Sequence, residues 1–168
     1  MYIIPAIDIL DGKVVRLREG DYNQKTEYNV SIEDMIEQYR SNGTDFIHII
    51  DLNGAKGDFS NQKALFDIIK KTDMKVQYGG GIRTIEQVTN LLDAGIHRVI
   101  VGTQAISNPD FLPELSEAFA KKDDYANRIV IAIDVLDEVI KYSGWMESSP
   151  IKLMDYVDKC LALGFFRF

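Results

Sequence analysis

The 168-residue sequence has a single cysteine, Cys160, so no disulfide forms within it and the chain suits a reducing compartment, read here as the cytoplasm. Long apolar runs are also missing. None approaches the ~20 residues that span a bilayer. The opening MYIIPAIDIL lacks the basic start and cleavage pattern of a signal peptide and reads as a strand. Positive charge is scarce: 19 Lys and Arg against 26 Asp and Glu leave a net charge of −7. That balance argues against a nucleic-acid surface and gives no long-range pull on an anionic substrate, so phosphate would have to be held by local devices. Two histidines and one cysteine supply no clustered metal ligands. No Ser/His/Asp arrangement suggests a hydrolase, and no G-x-G-x-x-G suggests a dinucleotide. The expectation is a protein without metal or cofactor and without nucleic-acid or membrane partners.

What is present is alternation. Short β-branched runs predict strands at 2–8, 46–52, 75–79, 98–102 and 128–134, near-continuously apolar as parallel strands covered on both faces are. Between them lie amphipathic helices with readable ends. Ser31 with Asp34 resembles a capping box for the first helix, which should stop near Gly43. Asn61 can cap the second, running to about Lys71. Thr84 with Gln87 caps the third, which carries Ile85, Val88, Leu91 and Leu92 on one face and stops at Gly95. Asn108 and Pro109 predict the start of the fourth, and Ser149 and Pro150 the start of the fifth, closed by Gly164. Five β-then-α units imply a parallel sheet, wound into a barrel or open. The FFRF after Gly164 reads as the start of a sixth strand, whereas a complete barrel takes ~250 residues and eight units.

A repeat favours the barrel. Ala6-Ile7-Asp8-Ile9-Leu10-Asp11 returns as Ala132-Ile133-Asp134-Val135-Leu136-Asp137. Strands 1 and 5 are opposite in an eight-stranded barrel, so the expectation is an α/β chain of the (β/α)₈ TIM-barrel class built from two half-barrels. Here it is incomplete, a single partial-barrel domain over 1–168 with the first half-barrel at about 1–124 and the start of the second at about 125–168.

In such barrels chemistry sits at the C-terminal ends of the strands. Asp8 and Asp134 are expected there, and two carboxylates can divide acid and base work if their surroundings separate their pKa values. In KVQYGGGIR, Gly80 and Gly81 let backbone N–H groups approach an anion at a helix N-terminus, and Arg83 adds charge. Gly102 and Thr103 end the next strand with a second N–H and a hydroxyl. The connection at 11–30 is long and polar, as functional lids often are. Arg16 on it is a candidate anion contact, while Lys13 and Arg18 read better as solvated charges on a β-ribbon. Trp145 is either a stacking platform for a flat heterocycle or a packing anchor. Asp51 reads as a supporting residue, and His48, inside an apolar strand, as a satisfied core or inter-strand residue and not a catalyst.

Taken together, PAID, DGKVVRL, HIIDLNGA, GGGIR, VGT, AIDV and the GW beyond it resemble the phosphoribosylformimino-5-aminoimidazole carboxamide ribotide isomerases of histidine biosynthesis, over essentially all 168 residues. The resemblance implies an Amadori rearrangement of a bis-phosphorylated aminoaldose to an aminoketose. Asp8 would be general base at the sugar C2 proton, and Asp134 the general acid that opens the ring. Gly80, Gly81, Arg83, Gly102 and Thr103 would surround one phosphate, and Arg16 and Trp145 would close over the substrate. It also implies a monomer for the full-length form. The family's sixth-strand motif and last strands are not in this sequence. The chain alone is therefore expected to be inactive and prone to self-association through an open edge. Two alternatives stay open: a non-catalytic phosphate-binding partial barrel, and the sister cyclase of the same pathway. The motifs do not separate the isomerase from a bifunctional one that also serves tryptophan synthesis.

Overall fold

The structure, a computed structural model, describes residues 3–18, 20–121 and 124–168. It is mixed α/β with parallel strands, and the chain divides into two compact units. The first runs to Gly81 and includes Ala94–His97; the second comprises Ile82–Asp93 and Arg98–Phe168. No helix among the described residues is long and apolar enough to cross a membrane.

The first unit contains β1 (Ala6–Leu10), β2 (Lys13–Arg18), β3 (Asp21–Glu27), α1 (Ile32–Ser41), β4 (Phe46–Asp51), α2 (Leu52–Ala55), α3 (Gln62–Ile69) and β5 (Lys75–Gly79). Its strands lie in the order β3-β2-β1-β4-β5. Strands β1, β4 and β5 are parallel, with Ala6 opposite His48 and Gln77, and Asp8 opposite Ile50 and Gly79. The period of two then separates the faces. Ile7, Ile9, Ile47, Ile49, Val76 and Tyr78 are buried, together with Ile32 and Ile36 of α1 and Leu65 and Ile69 of α3. Phe66 of α3 meets the Tyr78 ring edge-on with centroids 6.0 Å apart. On the other face Ala6 is exposed, and Asp8, His48, Ile50 and Gln77 are half-buried. The sequence reading had both faces covered; here polar side chains interrupt the second face, and it is only partly covered.

Local signals explain most boundaries. Ser31 Oγ accepts from the Asp34 N–H at 3.0 Å and opens α1, whose cap is Asn42. Asn61 precedes α3 as expected but does not cap it: its amide donates to Asn53 Oδ1 at 2.8 Å. The expected first strand shifts to Ala6–Leu10 (Tyr2 lies outside the described residues), so Asp8 is inside β1 and not its last residue. The long connection is not an open loop. It folds as an antiparallel ribbon of β2 on β1 and β3 on β2. Lys13 pairs there with Glu27 at 2.8 Å, both well exposed, a contact worth little in water.

The second unit contains α4 (Ile85–Asp93), β6 (Arg98–Val101), α5 (Thr103–Ser107), α6 (Phe111–Phe119), a 3₁₀ turn (Ala126–Arg128), β7 (Ile129–Ile131), β8 (Asp134–Leu136), β9 (Val139–Tyr142), β10 (Glu147–Lys152) and α7 (Leu153–Ala162). Strands β6 and β7 are parallel, and β10-β9-β8 form a separate antiparallel sheet. Thr84 and Gln87 complete a reciprocal capping box: the Gln87 N–H donates to Thr84 Oγ1, and the Thr84 N–H to Gln87 Oε1, both at 3.1 Å. Beyond α7, the Ile131 N–H donates to Arg167 O at 2.9 Å, so the terminal FFRF segment runs beside β7.

Three expectations are corrected here. Helix α5 was not foreseen, and the next helix starts at Phe111 with Asp110 as its flank, because Asn108 Oδ1 accepts the Asp110 N–H and turns the chain around Pro109. Ser149 and Pro150 do not open the last helix; they lie in β10, and α7 starts at Leu153. The fifth parallel strand ends at Ile131, and Asp134 opens a new antiparallel hairpin.

That hairpin is the repeat realised in space. Asp8 pairs with Val15, Ile9 with Val14 and Leu10 with Lys13; Asp134 pairs with Lys141, Val135 with Ile140 and Leu136 with Val139. The offset of seven residues from each aspartate to its partner is the same. Both hairpins turn through two left-handed residues, Asp11 and Gly12 (φ 52° and 73°) and Asp137 and Glu138 (φ 51° and 64°), as two-residue hairpin turns of this hand require. Glu138 occupies the place that glycine holds in the first copy and carries its strain. Glu138→Gly is expected to raise stability by about 0.5–1 kcal/mol in a denaturant titration. An unchanged midpoint would mean that the turn carries no strain.

Candidate active site

Asp8 stands half-buried on the less covered face of the first unit, level with the last paired residues of β4 and β5. A cleft of about 390 Å³ beside β1 and β2 is lined in part by Asp8, Val15, Arg16, Tyr28 and Tyr39. Burial raises the Asp8 carboxyl above the ordinary carboxylate range, and the positive fields of Arg16 and His48 pull it partly back. Arg16 itself is exposed on β2. His48, two residues along the same face, accepts at Nδ1 from Gln77 Nε2 at 2.8 Å. Burial lowers its pKa, so at neutral pH the ring is uncharged. The inter-strand reading of His48 agrees with this geometry.

Beside Asp8 the βα loops knit together. Asp51 is fully buried; its Oδ1 accepts the Gly54 N–H at 3.0 Å and caps α2, and its Oδ2 accepts the Tyr78 hydroxyl at 3.1 Å. Burial and the nearby Asp51 push Tyr78 far above its ordinary pKa, so this hydroxyl stays a donor. Asn53, also buried, accepts the Asp11 N–H at 2.8 Å and donates to Asp11 Oδ1 at 2.9 Å, which ties the first hairpin turn to the second βα loop. Tyr22 of β3 donates to Leu52 O at 3.2 Å, with the Lys56 ammonium 3.8 Å from its ring centroid.

The glycines of GGGIR serve this knot sterically. A Cβ on Gly80 would stand 2.2 Å from Asp51 O, and one on Gly81 1.7 Å from Gly54 O. Both have positive φ, 133° and 65°. Their missing side chains therefore admit a neighbouring backbone. The N–H groups of Arg83 and Thr84 both donate to Gln87 Oε1, at 2.8 and 3.1 Å, so these two donors of the α4 N-terminus are engaged within the chain. Arg83 is exposed.

In the second unit Gly102 is the residue before α5 and Thr103 its first residue. The Thr103 hydroxyl accepts the Ser143 N–H at 3.2 Å, which joins the β6 loop to the β9–β10 turn that carries Trp145. Trp145 is 49% exposed with φ 71°, so it is not a core anchor. Asp134 is exposed as a residue, yet partial desolvation raises its carboxyl above the usual range.

Of the residues singled out from sequence, Asp8, Arg16, Asp51, Gly80 and Gly81 fall in the first unit and Arg83, Gly102, Thr103, Asp134 and Trp145 in the second. Sequence reasoning missed Asn53, Gln77 and Tyr78. The Asn-Gly after the second strand was a turn signal pointing to Asn53, whereas nothing local marks Gln77 or Tyr78. Among the described residues no group of three or more His, Cys, Asp or Glu is arranged to hold a metal.

Two outcomes follow from this packing. Gly80→Ala and Gly81→Ala are each expected to cost about 3 kcal/mol in chemical denaturation. Gly95→Ala, at φ 99° with nothing within 4 Å, should cost only about 1 kcal/mol; equal losses would refute the close-approach account. For Asp8 the sign is fixed by its raised pKa. The folded state resists ionising it, so stability is full below the ordinary value of 3.8 and falls as pH rises through the folded value. Asp8→Asn should thus be more stable than the parent at pH 7, with the advantage vanishing on acidification below that value.

A family model described as "Histidine biosynthesis protein" matches residues 2–168. The chain is 39% identical over 158 residues to the 1-(5-phosphoribosyl)-5-((5-phosphoribosylamino)methylideneamino) imidazole-4-carboxamide isomerase of Pelagibacter ubique, an alignment covering 94% of this chain and 64% of that protein. Proteins of the same name from Oceanobacillus iheyensis and Geobacillus thermodenitrificans are 37% identical over 165 residues and 43% identical over 151. Those alignments cover 98% and 89% of this chain but 66% and 59% of the relatives, so the chain spans less than two thirds of their length. With the family model matched from end to end of the described fold, the chain belongs to the histidine biosynthesis protein family.

Proposed function

We propose that this chain carries the acid–base aspartates of an aldose–ketose isomerase, acting by an Amadori rearrangement on a bis-phosphorylated aminoaldose ribotide within a (β/α)₈ barrel. The observation that carries the reading is Asp8: a half-buried carboxyl of raised pKa that shares a cleft with Arg16 at the C-terminal end of parallel strands. The names of the relatives supply the substrate class. The chemistry needs proton transfers alone. Asp134 gives a proton to the ring oxygen as the C1–O bond breaks, leaving a C1=N iminium. Asp8 then removes the C2 proton, and the resulting enolaminol becomes the ketone as C1 takes up a proton and the C2 hydroxyl gives one up. Raised carboxyl pKa values suit both roles, because an acid must keep its proton near neutrality and a base gains strength as its pKa climbs.

Gly80, Gly81, Arg83, Gly102 and Thr103 would hold one phosphate in this reading, by backbone N–H groups, the guanidinium and the hydroxyl. Trp145 supports it as an exposed indole suited to stacking on an imidazole. Arg16 would neutralise anionic charge near Asp8.

The test is conversion of the aminoaldose ribotide by a full-length counterpart and by the 168-residue chain alone. Asp8→Asn and Asp134→Asn in the full-length form should each lower kcat by about 10²–10⁴, and the 168 residues alone should show no turnover. Undiminished turnover in either variant would remove that aspartate from the mechanism. A full-length protein inert on this substrate would sink the isomerase reading.

A further inference from the structure

On the half-covered face of the first unit, three strands place three polar side chains in one neighbourhood. Ala6, His48 and Gln77 are in register across β1, β4 and β5, and Asp8 lies one step along the same face of β1. Gln77 Nε2 is 2.8 Å from His48 Nδ1. An amide N–H donating there requires that Nδ1 be unprotonated, which leaves Nε2 as the protonated nitrogen of a neutral ring. A carboxylate in place of that amide would reverse the preference, accept a hydrogen bond from a protonated Nδ1 and favour imidazolium.

The charge state of His48 matters because its field reaches Asp8. The groups facing Asp8 are Arg16 on β2, Tyr22 on β3 and His48 on β4, while β5 contributes the neutral Gln77. A full positive charge on His48 would hold the Asp8 carboxylate in its ionised, weakly basic form. A neutral ring leaves Asp8 the stronger base.

We propose that Gln77 is a positioning residue that acts through His48: by donating to Nδ1 it fixes His48 as the uncharged Nε2–H tautomer and so preserves the basicity of Asp8. The proposal rests on the acid–base role proposed above for Asp8, although its first test does not. Only two histidines are present, and His97 packs edge-on against Phe46 at 5.3 Å, so the His48 ring is readily assigned.

In the ¹⁵N-labelled chain at pH 7, His48 Nδ1 should resonate as an unprotonated nitrogen and Nε2 as a protonated one. Gln77→Glu should raise the His48 pKa by at least about one unit and move the Asp8 carboxyl titration, followed by ¹³C shifts, downward. Gln77→Leu should leave a tautomer mixture and, with the donor to the neutral ring gone, move the Asp8 titration in the same direction as Gln77→Glu by a smaller amount. If Gln77→Glu does not fold, the parent and Gln77→Leu spectra decide alone. A protonated Nδ1 in the parent, or an unmixed Nε2–H tautomer in Gln77→Leu, overturns the proposal. In the full-length counterpart Gln77→Glu should lower kcat about tenfold with KM within twofold and shift the acid limb of the pH profile downward. Ring shifts test the positioning and turnover tests the acid–base reading, so failure of one is told from failure of the other.

Discussion

The buried Asp51 carboxylate holds the C-terminal end of the first unit together. It is fully buried at the end of β4, and its two oxygens take the Gly54 N–H and the Tyr78 O–H. A buried carboxylate without partners would cost several kcal/mol, so the surrounding geometry is constrained to keep both donors in place. The Gly54 N–H must start α2 directly after β4. The Tyr78 hydroxyl must come from β5 at the level of Ile49. The chain after Tyr78 must then pass close enough to Asp51 and Gly54 that only glycine fits at positions 80 and 81. Asn53 extends the same knot to the β1–β2 turn through Asp11. The loops around Asp8 are fixed by one another, and that suits a site whose residues must keep their positions.

Much of this was legible in the residues. The runs FIHII and KVQYG became β4 and β5 nearly as read, and the Ser31 and Thr84 caps closed as their spacing required, because each depends on neighbours within four residues. The aspartate repeat was legible too, and it became two hairpins with the same register offset. What failed depended on distant partners. Ser149-Pro150 looks like a helix start, yet it lies inside β10, at an irregularity between Ser148 and Lys152, which pair with β9. Asn61 looks like a cap, yet Asn53 claims its amide. The β1–β2 hairpin was signalled by Asp11-Gly12 between apolar runs, a strong hairpin cue, although the polar β3 (DYNQKTE) hid the strand that follows.

GGGIR shows how one motif can have two physical causes. From sequence, three glycines suggested room for an anion. In the fold, the absent side chains of Gly80 and Gly81 make room for backbone at Asp51 and Gly54, and Gln87 takes the N–H groups of Arg83 and Thr84. Sequence cannot separate the two causes, since both require glycine at the same positions.

The parity of the strands separates stability from chemistry. In β1 and β4 the odd positions (Ile7, Ile9, Ile47, Ile49 and Asp51) face the buried side, while Ala6, Asp8, His48 and Ile50 face the other. Ile9 and Asp51 are register partners, as are Asp8 and Ile50. Two aspartates near the ends of adjacent strands therefore differ in role because they point to opposite faces. Asp51, on the covered face, is saturated by donors from its own loop and from Tyr78. Asp8, on the half-covered face, is left with a raised pKa and with Arg16 and His48 for neighbours. A slip of one residue in the register would exchange the faces, burying Asp8 and His48 and exposing the isoleucines. The apolar cost of that exchange holds the register, so the hydrophobic side of the sheet is also what keeps Asp8 beside Arg16 and the neutral His48 ring.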